Sequence, residues 1–222
     1  MSSVTIMAHE SVWDPHAELW FAEPAGFTAL PLDSLLAEPG AQAAEGMRKA
    51  MAPLLATAPS EAARQQFIAL VASGQQMLAA LCEFGTVHCS VGMHRDDIGR
   101  GSRPLLSLFS IAWRATATAP RAATAARAVT GAVGHSRIEY LELPSGPATL
   151  SETTSPPPPT PIPGLPQLPL LQVHAHLPHP DCKRMAVLTL STTALARRGE
   201  YRAILRQVVD SVRFEDPMGT GA

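Results

Sequence analysis

Apolar and polar positions alternate most regularly in the last third of the chain. Leu170 to Leu177 (LLQVHAHL) puts Val173, Ala175 and Leu177 on one side and His174 and His176 on the other, the period of a strand. PHPDCKR (178–184) reads as a turn, and MAVLTLSTTA (185–194) as a second strand. EYRAILRQVVDSV (200–212) changes period. Ile204, Leu205, Val208 and Val212 form the stripe of an amphipathic helix that covers a sheet. The pattern predicts a β-hairpin feeding a helix.

Upstream, Trp20-Phe21 and the EPAGF that follows predict a short strand entering a Pro/Gly turn. Residues 41–55 are rich in helix formers, with Pro53 as a kink or stop. A second helix opens after Pro59 with Ser60 as N-cap, and Phe67, Leu70, Val71, Met77, Leu78 and Leu81 recur at helical spacing. Gly74 suggests a break in it and Gly85 a stop. Residues 86–94 return to period two: Val87, Cys89, Val91 and Met93 form the apolar face, and Thr86, His88, Ser90, Gly92 and His94 the polar face of a half-buried strand. After a charged, glycine-rich turn at 95–101, residues 105–113 are apolar on both faces, as a central strand requires. Pro120 opens a short helix over 121–132, and 137–143 and 148–152 are strands about a turn at 144–147.

The proline tract in residues 154–169 excludes helix and central strand and reads as an exposed extended loop. Its flanks look like strands of one sheet, so it is a loop rather than a linker. The chain is expected to be α+β: a mainly antiparallel β-sheet covered by helices, in one domain over 1–217 with a helical segment at 41–83 and a tail at 218–222.

Composition narrows the function classes. Of 222 residues 46% are hydrophobic and 16% charged, and the net charge is −2. No basic stripe points to nucleic acid, and no apolar run reaches the roughly 20 residues that span a bilayer. With no signal-like N-terminus and only three cysteines (Cys82, Cys89, Cys182), without a CxxC, the expectation is a cytoplasmic protein whose cysteines are small buried hydrophobes.

Candidate chemistry rests on the eight histidines. His174 and His176 share a strand face, and His88 and His94 lie on the polar face of theirs. Were those strands neighbours, the four could gather around a metal ion; hydrogen-bonded structural histidines are the alternative. There is no GxSxG elbow, no phosphate-binding glycine loop and no carboxylate pair at hydrolytic spacing. No catalytic residue and no cofactor is assigned.

The chain's ending, with Ile204, Val208, Val209, Ser211, Val212, Arg213 and Phe214, resembles that of the Mog1/PsbP-like α/β sandwiches, including the actinobacterial LpqN-like lipoproteins. The segment Pro24 to Phe27 is similar to the start of that fold. The resemblance covers about half of the chain; the helical segment and the proline loop depart from it. It implies a binding scaffold, since members of the superfamily are largely non-enzymatic. The expected function is therefore a protein-binding adaptor or accessory factor, serving a secretion or other multi-protein system, with another protein as partner. The alternatives are a metal-binding protein or enzyme using the histidines, and a small-molecule binding protein.

Overall fold

The computed structural model describes residues 6–9, 11, 17–37, 40–42, 44–45, 49, 60–94, 105–157 and 168–217, with backbone alone at 6–8, 63–64, 66–67, 69–71, 73 and 93–94. Most of the expected helix at 41–55, the turn at 95–101, most of the proline tract, Trp13 and the 218–222 tail lie outside the described residues.

In chain order the described elements are β1 (Ile6–Ala8), β2 (Ala22–Pro24), β3 (Phe27–Ala29), α1 (Leu32–Leu35), α2 (Glu61–Glu83), β4 (Thr86–His94), β5 (Leu105–Ala115), α3 (Arg121–Thr130), β6 (Ser136–Leu143), β7 (Gly146–Ser155), β8 (Leu170–Pro178), β9 (Arg184–Thr192) and α4 (Arg198–Ser211). Seven strands form one antiparallel sheet in the order β3-β4-β5-β9-β8-β7-β6. Two meanders, β3 to β5 and β6 to β9, are thus joined where β5 meets β9. β1 and β2 form a separate two-stranded ribbon. The α+β expectation holds, and β7 pairs directly with β8 across the proline tract.

The register assigns the two faces. Ile111 lies opposite Leu188, and Leu188 opposite Ala175. Phe109, Ile111, Leu150, Val173, Ala175, Leu188 and Leu190 therefore share one face, and all are buried. α4 covers this face with Tyr201, Leu205, Val208 and Val209, so the predicted stripe is the one that packs. The other face carries Ser110, Thr149, Ser151, Thr153, Gln172, His174, His176, Thr189 and Ser191. α3 packs on its β7–β8 part, and Thr149 Oγ1 donates to the Ala125 carbonyl at 3.2 Å. α2 packs against β4.

On the α4 face, Glu139 of β6 and Glu152 of β7 meet Arg198, Arg202 and Arg206, which recur every four residues along the helix. The Arg202 hydrogen bond, aided by Arg206, holds the Glu139 carboxyl below its ordinary range.

Two expectations need correction. α2 runs unbroken through Gly74, which has open space around it. The polar face of residues 86–94 is not solvated: Thr86, Ser90 and Gly92 are buried, while Val87 of the apolar face is exposed. A register shift between Thr86 and His88 breaks the alternation, and β2 and the aromatic core lie over the polar side.

Candidate functional site

Where β1, β2 and β4 meet, an unusual set of side chains comes together. His9 follows β1, and its amide donates to the Phe21 carbonyl at 3.3 Å, which aligns it beside β2. Its ring stacks on Phe21 with centroids 4.4 Å apart and meets the His88 ring edge-on at 4.6 Å. Glu23 is 6% exposed although it carries a carboxylate. The Ser90 hydroxyl donates to Glu23 Oε1. His88 Nε2 lies 2.9 Å from Glu23 Oε2, and His9 Nε2 lies 4.0 Å from it. Neither Glu23 Oε2 nor His88 Nε2 makes an aligned hydrogen bond among the described residues, and both are buried.

Two imidazoles and a carboxylate are a donor set for divalent transition metals. Among the described residues, these three are the group of histidine, cysteine and acidic side chains whose ligating atoms converge, all within 4.8 Å of one another. The Ser11 amide donates to His9 Nδ1 at 3.1 Å, so the neutral ring carries its proton on Nε2.

His9 and His88 also form part of the wall of an open cavity of about 540 Å³. Leu19, Phe21, Leu30, Ile111 and Trp113 give it apolar walls, while Ser11, Ser34, Asp33 and Glu18 add polar groups. Glu18 is paired with Arg184 at 2.7 Å, and Arg184 stacks on the Trp113 ring. The volume falls in the range of small-ligand pockets, roughly 300–1,000 Å³.

The histidines named from the sequence separate. His88 lies opposite Ile111 and so points to the α4 face, whereas His174 and His176 point to the other face with β5 and β9 between. His94 pairs with Leu105 through its backbone, and its side chain lies outside the described residues. The four do not gather on one face, because the register shift in β4 and the strand order set His88 against the core.

His174 and His176 are joined instead by His135, with centroids 5.4 and 5.6 Å away. Hydroxyls surround them. His174 Nδ1 and Nε2 contact Thr189 Oγ1 at 3.1 Å and Thr153 Oγ1 at 2.9 Å, His135 Nδ1 contacts Ser151 Oγ at 2.8 Å, and His176 Nδ1 contacts Thr149 Oγ1 at 3.4 Å. Burial pushes His174 down to about 4 and His176 down to about 3, with neighbouring imidazoles adding to the effect; burial lowers His135 too. Both nitrogens of His174 are engaged by threonines, which is a structural network rather than an open ligand set.

Sequence reasoning missed His9 and Glu23. A signal for Glu23 was present: an acidic residue amid WFAEPAGF marks a charge that must be compensated if the run is buried. His9 carried none, since its place depends on pairing with a segment twelve residues on.

Comparison with protein-family models, curated proteins and solved structures finds no match for this chain. No described helix is long and apolar enough to cross a membrane.

Proposed function

We propose that this is a non-catalytic binding module of the adaptor type, which receives a side chain or short segment of a partner protein in the cavity beside β1–β3. The carrying observation is the cavity with its exposed apolar rim. Its walls are apolar, and Val87, which forms part of them, is 57% exposed. Phe84, three residues earlier in the α2–β4 turn, is 63% exposed. Apolar side chains held in water beside a preformed pocket are the features of a recognition surface. The turn leading into Val87 is fixed: the Phe84 carbonyl accepts from Arg114, and the Gly85 carbonyl accepts from the Trp113 amide at 2.8 Å. Membership of the Mog1/PsbP-like sandwiches, a largely non-enzymatic superfamily, would point the same way.

A second reading is a small organic ligand in the same cavity, supported by its volume and by the imidazoles at one end. One experiment separates the two. A photo-crosslinking residue is placed at position 87 in the native host, with and without Ala29→Trp to fill the cavity. The adaptor reading expects a discrete cross-linked protein that is lost when the cavity is filled. The ligand reading expects no cross-link, but a small-molecule adduct in native mass spectrometry that Ala29→Trp removes. Neither signal from a folded protein would defeat both.

A further inference from the structure

The buried Glu23 carboxylate needs compensation, and among the described residues no lysine or arginine pairs with it; its ionic neighbours are His9 and His88. The polar atoms around it are close without being well joined. His88 Nε2 and Glu23 Oε2 are in ion-pair contact at 2.9 Å without an aligned hydrogen bond, and the ligating atoms of His9, Glu23 and His88 all lie within 4.8 Å of one another. The other carboxylate oxygen is held by the Ser90 hydroxyl, as a supporting residue holds a metal-ligating carboxylate in place. The ligand set comes from three segments fixed by backbone pairing: β2 against β1, His9 beside Phe21, and β4 within the sheet.

We infer that His9, Glu23 and His88 form a binding site for one divalent first-row transition-metal ion, with its remaining coordination open to the cavity. Two imidazoles and one carboxylate leave at least one position for water or for a donor atom of whatever enters the cavity. The ion neutralises the carboxylate and joins the β1–β2 ribbon to the large sheet. One rearrangement accompanies binding. When Nε2 of His9 ligates, its Nδ1 must carry the proton, so the Ser11 amide loses its acceptor. No protein partner is required, so the inference stands apart from the adaptor reading.

The test uses the full chain after treatment with a chelator, titrated with Zn²⁺ by calorimetry and with Co²⁺ by visible absorption. The expected result is one saturable equivalent, an intense cobalt ligand-field spectrum of low coordination number, and a shift of the Ser11 amide resonance on zinc addition. Glu23→Gln and His88→Ala should each weaken zinc binding by about tenfold or more, since loss of even an outer-shell partner does as much. His174→Gln should leave binding unchanged. Where Glu23→Gln fails to fold, Ser90→Ala keeps the carboxylate but frees its second oxygen, and should weaken binding about tenfold. The inference is overturned by the absence of a saturable equivalent, by a cobalt spectrum equal to that of the aqueous ion, or by binding that survives His88→Ala and is lost in His174→Gln.

Discussion

Gly85 sits at φ +78° where α2 turns into β4. A methyl group there would lie 2.7 Å from the Trp113 carbonyl oxygen, which is main chain of a paired strand and cannot rotate aside. Left-handed strain alone costs about 1–2 kcal/mol. Gly85→Ala should therefore lower unfolding free energy by at least about 2 kcal/mol in urea titration. Gly74→Ala should act the other way, since it is a helix-interior glycine with nothing within 4 Å of the added carbon. A gain of about 0.5–1 kcal/mol is expected from the same measurement. The two glycines looked alike in the sequence, both as interruptions of a helical pattern. The left-handed φ of Gly85 and the approach of the Trp113 backbone tell them apart, and the latter depends on strand pairing. Glu152, 1% exposed, faces Arg198, Arg202 and, at 3.8 Å, Arg137; removing its carboxylate takes from Arg198 its acidic partner among the described residues, while Arg202 keeps Glu139. Since the guanidinium groups left behind keep access to water, Glu152→Ala should cost about 1–2 kcal/mol in the same titration.

At the scale of elements, the closing hairpin and helix were legible because each carries its period in adjacent residues. Val173, Ala175 and Leu177 alternate, and Leu205, Val208 and Val212 recur along one stripe; all six are buried. In β4 both sides are covered, since Cys89 of the expected apolar face is fully buried along with Ser90 of the polar one. Polar Thr86, His88 and Ser90 were assigned to solvent, but Glu23 and the Phe21 ring cover that side, and the approach of a segment some 65 residues away leaves no mark on β4 itself. The candidate site was therefore legible only in His88. On the opposite face, β8 carries a pH dependence. His174 and His176 are held near 4 and 3 in the fold against an ordinary 6.5, by burial first. Such imidazoles take up protons earlier in the unfolded chain, so their stabilisation is complete above about pH 6.5 and is lost as pH falls toward the folded values. Between pH 7 and pH 5 the loss is about 2 kcal/mol for each ring. Denaturation midpoints should fall over that window, and His174→Gln with His176→Gln should flatten the slope.

For the whole molecule, the β5–β9 pairing joins two meanders into a single sheet, with Cys89 beside that seam on β4. Its side chain is fully buried, and burial pushes its thiol up to about 11. Cys82 and Cys182 are partly exposed. Alkylation of the native protein should modify those two first, and Cys89 only at the rate of global opening. A Cys89 that labels as fast as Cys82 would mean that the β3–β5 meander opens independently of the rest. The order of strands itself could not be read from the sequence. Alternation fixes which residues share a face, but nothing in β5 states that its second neighbour is the last strand of the chain.

Trp20 and Arg213 exchange both backbone hydrogen bonds at 2.9 Å, and the Ala22 amide donates to Ser211 Oγ at the same distance. The segment bearing His9 and Glu23 is thereby stitched to the last residue of α4 and to Arg213 just beyond it. During synthesis it leaves the ribosome long before its stitching partner has been made. The cavity wall and the His9–Glu23–His88 cluster accordingly take shape only after the C-terminal helix has been released and docked. A nascent chain stalled anywhere before residue 213 would carry these side chains without the site, and a truncation that removes Ser211 to Phe214 should disable binding although none of those residues supplies a ligand.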